Sequence, residues 1–157
     1  MLKIIDGDIF ESNADIIAHQ VNCQGVMGGG IALQVKRKYP NVFKEYNKYC
    51  NRYKGVSFNL LGNIYTVGIQ SQYPDLPRRR YICNLFGQDE FGGNRCHTDY
   101  DALRLCLKKL NIIAIGNTVA IPYMMSCALA GGDWDIVSKM IEETLTDCDI
   151  TLYRYSV

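Results

Sequence analysis

Two short stretches of small residues carry the groups best suited to chemistry: Cys23 to Gly30 (CQGVMGGG) and Ser126 to Gly132 (SCALAGG). Each follows an apolar run that reads as a strand and leads into a segment with helical spacing. A helix N-terminus presents unpaired N–H groups and a partial positive charge. Glycine lets that backbone approach an anion with no Cβ in the way. The pair therefore predicts a diphosphate site, gripped by main-chain amides from both segments. Neither stretch is a P-loop, because no Gly-Lys-Ser/Thr follows, and neither shows the GxGxxG fingerprint with its later acidic residue. One such loop alone reads as a tight connection; its recurrence at a second strand-to-helix junction is what points to a ligand.

Polar side chains near these loops supply candidates for catalysis. Asn22 offers two donors and an acceptor to sugar hydroxyls; the competing role is to satisfy backbone at a strand end. His19 has a suitable ring for acid/base work near neutral pH. Strand alternation places it on the face of Val21 rather than that of Asn22, where a buried, satisfied histidine is the alternative. Asn84 and Gln88 fall near the end of a later strand and could orient a water. Asp133 opens the helix after the second loop and is either a base or a helix cap, the commoner role. Cys127 sits where a helix approach would lower a thiol pKa, yet it has no evident partner, so packing is expected. His97 reads as a loop residue with no assigned role.

The elements that must position these groups alternate. Strands are expected at Leu2–Ile5, Asp15–Asn22, Gly62–Ile69, Tyr81–Phe86, Thr118–Pro122 and Asp149–Tyr155. Helices are expected at Ile31–Lys38, from Asn41 to about Tyr53, at Thr98–Leu110 and from Asp133 to about Leu145. Val42, Tyr46 and Tyr49 recur at helical spacing in the second. Thr98 is expected to cap the third, with Ala102, Leu103, Leu105 and Leu110 as its inner face. This order predicts a mixed, largely parallel sheet covered on both faces.

The chain of 157 residues suits a single domain. Its net charge of +1 gives no global footprint for nucleic acid or membrane. Arg78-Arg79-Arg80, near Tyr73 and Tyr81, is a small basic patch that reads as a solvated loop. There are seven cysteines with no CxxC spacing; several sit inside apolar runs, as buried free thiols do, and the set fits a reducing cytoplasm better than disulfides or zinc. No signal peptide or membrane-spanning run is expected.

Taken in order, GDIF, VNCQGVMGGGIA, IPYMMSCALAGGDW and ITLYRY resemble a macrodomain over essentially the whole chain, 1–157. NLFGQ is similar to the branch with terminal ADP-ribose glycohydrolase-type and ADP-ribose-1″-phosphate phosphatase-type members. The resemblance implies a three-layer α/β/α fold with a cleft for ADP-ribose, free or on a macromolecule. It implies that Asp8 accepts from the adenine amino group, with Ile9 beside the ring and Tyr153, or else Tyr155, stacked on it. It places Ser126, Cys127, Ala128, Leu129, Ala130 and Gly131 around the diphosphate. Gly28, Gly29, Gly30, Ile31 and Asn22 would stand near the distal ribose. Binding needs no metal and no cofactor.

The glycohydrolase-type enzymes use a lysine that attacks the ribose and an aspartate in the second loop. Gln88 and Ala130 stand at those positions here, and an amide cannot form a Schiff base. The expected reaction is instead water attack on a group attached to the distal ribose, helped by His19 or Asp133 and by a substrate phosphate. The alternatives are a non-catalytic ADP-ribose reader and an RNA-binding protein, the last opposed by the near-zero net charge.

Overall fold

The computed structural model describes residues 2–70 and 79–155. The central strand Ile16–Val21 is buried along its whole length, as a strand covered on both faces must be. Successive side chains leave opposite faces: Ile16 and Ala18 enter one core, Ile17 and Val21 the other. That strand is β2, and with β1 (Lys3–Asp6), β3 (Ile64–Ile69), β4 (Arg80–Phe86), β5 (Thr118–Pro122) and β6 (Asp149–Arg154) it forms one sheet. The strand order is β1-β6-β5-β2-β4-β3. Neighbours run parallel except β3 against β4, which are antiparallel.

Helices α1 (Gly30–Lys38) and α2 (Pro40–Asn51) cover one face, and α3 (Tyr100–Ile113) and α4 (Trp134–Thr144) the other. The expected three-layer α/β/α arrangement with a mixed, mostly parallel sheet is observed. In α2, Val42 and Tyr46 are fully buried, and Tyr49 stacks on Tyr65 with ring centroids 4.4 Å apart.

Two expectations for α3 are corrected. Asp99, not Thr98, caps it, accepting from the amide of Ala102; Thr98 is buried and bonded elsewhere. Leu105 faces out, because two residues from Leu103 is more than half a helical turn; Cys106 and Leu107 complete the inner face instead. The short 3₁₀ turns Ile9–Glu11 and Ser57–Leu60 have no counterpart in the sequence reading. Among the described residues, no helix is long and apolar enough to cross a membrane.

Tyr73 and Arg78 of the basic patch lie outside the described residues. Arg79 is exposed. Arg80 does not belong to a solvated loop: it is buried, and its guanidinium donates to the carbonyls of Ala14 and Ser12 at 2.8 Å each.

Candidate functional site

A two-lobed cleft opens at the carboxyl ends of β2, β4 and β5, where ligands bind in open α/β sheets. The larger lobe, about 530 Å³, is lined by both glycine-bearing loops. The smaller, about 260 Å³, reaches Asp8, Ile9 and Tyr153. Gly30, Ile31, Pro122 and Tyr123 line both lobes, so the cleft is continuous.

The two loops meet across it. A Cβ on Gly29 would come within 2.8 Å of Leu129 Cδ1. In the first loop and first turn of α1, the amides of Gly28 to Ala32 donate to no protein acceptor among the described residues; in the second loop the same holds for Ser126, Ala128, Leu129 and Ala130. Unpaired main-chain donors on two walls of one cleft are suited to anionic oxygens.

The second loop is held in an unusual conformation. Met124 and Ser126 have φ of 63° and 71°, in the left-handed region where non-glycine residues cost about 1–3 kcal/mol. A buried polar network fixes Ser126. Its hydroxyl donates to Gln20 Oε1 at 2.6 Å, and its carbonyl accepts from Thr98 Oγ1 at 2.7 Å and from the Gly132 amide at 2.8 Å. Gln20 Nε2 donates to Gln88 Oε1 and Thr98 Oγ1. Glycine is needed at two positions around this network: a Cβ on Gly87 would sit 2.3 Å from Gln20 Oε1, and one on Gly132 2.5 Å from the Ser126 carbonyl.

A family model described as Macro domain matches residues 18–141. The chain belongs to the macrodomain family. It is 32% identical over 104 residues to an ADP-ribose 1''-phosphate phosphatase of Meyerozyma guilliermondii, a match covering 62% of this chain and 59% of that protein. It is 46% identical over 52 residues to a DNA ADP-ribosyl glycohydrolase of Mycobacterium tuberculosis, covering 33% of this chain and 15% of the relative. The match thus spans less than two thirds of either curated relative. The structure superposes on the macrodomain of Mycobacterium tuberculosis DarG with a TM-score of 0.77 and 28% identity, covering 98% and 97% of the two chains.

Within this macrodomain, most sequence-derived binding residues line the cleft: Asn22, Gly28, Gly29, Gly30, Ile31, Ser126, Ala128, Leu129 and Ala130 in the larger lobe, Asp8, Ile9, Tyr153 and Tyr155 in the smaller. Asp8 caps the turn at Ile9 by accepting from the Phe10 amide, which leaves its second carboxylate oxygen without a protein partner among the described residues. Cys127 and Gly131 are absent from the walls. Gly131 packs on the backbone of Arg95 and Cys96 with φ +72°. Burial pushes the Cys127 thiol up to about 11, with Asp133 and Cys96 adding to it, so the expected lowering does not occur.

The catalytic candidates separate more sharply. Gln88 lines the larger lobe, with one half of its amide on Gln20 and the other on the Glu90 carbonyl. Asn22 lines it too, but its oxygen accepts from the Gln24 amide and the Tyr46 hydroxyl, and its nitrogen donates to the Val26 carbonyl. Its main work is to shape the first loop.

His19 is not on the cleft. It is fully buried on the α1–α2 side of the sheet, 2.7 Å from Asn84 Oδ1, and burial pulls its pKa down to about 4. Asn84 is buried with it and donates to the Tyr65 carbonyl, so it orients no water in the cleft. Asp133 is also off the cleft walls and caps α4 by accepting from the Asp135 amide.

Sequence reasoning missed Gln20 and the third wall, Phe91-Gly92-Gly93. Both had signals. Gln20 shares the strand face of Asn22 by alternation, and Gly92-Gly93 is a further glycine pair beyond a strand end. His97, assigned no role, joins that third wall to the second loop: its ring bonds the Gly92 carbonyl and its amide donates to the Ala130 carbonyl.

Proposed function

We propose that the cleft binds ADP-ribose and hydrolyses a group attached to its distal ribose. The observation that carries this reading is the pair of facing loops with unpaired amides, those of Gly28–Ala32 against those of Ser126, Ala128, Leu129 and Ala130. They suit a diphosphate between an adenine in the smaller lobe and a ribose in the larger. Asp8 would accept from the adenine amino group and Tyr153 would stack on the ring, an interaction worth about 1–3 kcal/mol for a base. The names of the phosphatase and glycohydrolase relatives agree with an ADP-ribosyl ligand.

The described walls of the larger lobe carry neither a carboxylate nor an imidazole. A non-bridging phosphate oxygen of the substrate is therefore the base that takes the proton from the attacking water. Gln88, with one donor and one acceptor position left on its amide, holds that water. The leaving group is an acyl group, a phosphate or a modified side-chain carboxylate.

The same lack of a carboxylate and an imidazole favours a second reading, a reader that binds without turnover. Calorimetric titration with ADP-ribose, followed by product assays on ADP-ribosyl-glutamate, O-acetyl-ADP-ribose and ADP-ribose-1″-phosphate, separates the two. Product from at least one substrate, slowed by Gln88→Ala, is expected. Tight ADP-ribose binding with no product from any of them leaves the reader, and no binding ends both readings.

A further inference from the structure

A net charge of +1 conceals a segregated surface. Seven of the chain's 17 Lys and Arg, but one of its 16 Asp and Glu, lie between Gly30 and Lys54. They are the run Lys36–Lys38 ending α1, and Lys44, Lys48, Arg52 and Lys54 along α2 and just beyond it; all are exposed. Between Asp133 and Asp149 the balance reverses, with six acids to the single cation Lys139. The ion pairs among the described residues join Arg95 to Glu90, Arg104 to Glu143 and Arg154 to Asp6. None lies on the basic face.

Lys44, Lys48 and Arg52 follow at intervals of four, so they stack into one stripe. The stripe is offset by two residues from the buried Val42, Tyr46 and Cys50, which points it to solvent. Like charges at this spacing weaken a helix, and Glu45 is the only acid among them. Such a stripe fits an external polyanion that neutralises it.

The stripe also adjoins the cleft. Asn47, on the same helix, donates to the Gly25 carbonyl in the first loop. Lys44 lies one turn before it, about 4.5 Å along the axis. After α2, Ser57 bonds Asp89 at 2.7 Å, and Gln24 of the first loop donates to both. Next to Ser57, Phe58 is 59% exposed, and across Asp89 the third wall exposes Phe91 at 51%. Exposed aromatic faces beside a cationic stripe are the combination that binds single-stranded nucleic acid without sequence preference.

We infer that the outer face of α2, with Phe58 beyond it, is a docking surface for a single-stranded polynucleotide that runs past the mouth of the cleft. Its phosphates pair with the Lys44–Lys48–Arg52 stripe and a base stacks on Phe58. A linear strand can follow the stripe and still present a pendant group to the recessed cleft, which a flat lipid surface cannot. A run of Asp and Glu offers carboxylates but no flat rings to place on Phe58. That the strand carries an ADP-ribosyl group into the cleft rests on the reading of the cleft above; the docking surface itself does not.

Fluorescence anisotropy of labelled oligothymidylate and oligouridylate of about 20 nucleotides, longer than the usual footprint of one small domain, tests the surface. Both are expected to bind. Log affinity should fall with log salt at a slope of about −2, as three phosphate contacts on a single strand require. The variant Lys44→Glu/Lys48→Glu/Arg52→Glu should lose at least about tenfold in affinity and most of that slope. Its calorimetric ADP-ribose isotherm should not change, which also shows that it is folded. Phe58→Ala should weaken binding by about tenfold at an unaltered slope. Wild-type affinity in the triple variant overturns the proposal. So does equal binding of polyglutamate, or of phosphatidylserine vesicles in place of the oligonucleotides. Oligonucleotide binding by a protein that takes no ADP-ribose would instead sink the cleft reading and leave this surface standing.

Discussion

His19 shows how one side chain can be misplaced by its chemistry and correctly placed by its strand. An imidazole three residues before Asn22 invites an acid/base role, yet alternation along β2 sends it into the core beneath α1 and α2. There Nε2 meets Asn84 while Nδ1 has no hydrogen-bond partner among the described residues, and burial holds the pKa near 4 against an ordinary 6.5. The folded state therefore resists protonation more than the unfolded chain does. Stability from this group is complete above about pH 6.5 and is lost as the pH falls from there toward 4. The loss should reach about 3 kcal/mol at its limit, at 1.36 kcal/mol per pKa unit. Urea unfolding between pH 7 and pH 4 should show this decline in the wild type and a smaller one in His19→Gln. Parallel pH profiles for the two proteins would count against it. Gln20, one residue on and on the opposite face, is the side chain that reaches the cleft.

At the scale of elements, loop and helix divide the work that sequence alone could not apportion to Asp133. The carboxylate satisfies the orphan amide of Asp135 at 2.9 Å and is exposed at the start of α4, the role of an N-cap. Asp133→Ala should cost about 0.5–2 kcal/mol of stability, read from the denaturation midpoint, while turnover per folded molecule is retained. A collapse of kcat with unchanged stability would restore the catalytic assignment. The six strands and four helices were legible because β2, β4 and β5 are apolar runs and α2 and α4 keep a helical period. Both glycine loops were legible because glycines recur at strand ends. The buried polar links were not. Gln20 to Ser126 spans 106 positions in sequence, and nothing local in either stretch encodes that pairing. Thr98 fails for the same reason: its hydroxyl is engaged by Ser126 and Gln20, so the capping role passes to Asp99.

For the whole molecule, the cleft is a seam between layers. One wall is the first turn of α1, which belongs to the α1–α2 layer; the other is the loop from β5 toward α4, which belongs to the opposite layer. A ligand that accepts from both walls ties the two layers together and binds only the folded chain. It also recruits amides that otherwise have no protein acceptor, next to Met124 and Ser126 in left-handed conformation. At a ligand concentration about 100 times Kd, mass action should stabilise the fold by about 2.7 kcal/mol. For a domain of this size that corresponds to a rise in Tm of roughly 5–10 °C. Calorimetric scans should show it with ADP-ribose. With ADP at the same concentration the shift should be smaller, because ADP leaves the distal-ribose end of the larger lobe empty. Ribose 5-phosphate, lacking both the adenine and the second phosphate, should give little shift. Equal shifts for ADP and ADP-ribose would mean that the distal ribose contributes nothing, and the hydrolytic reading would then lose the contacts that hold its substrate.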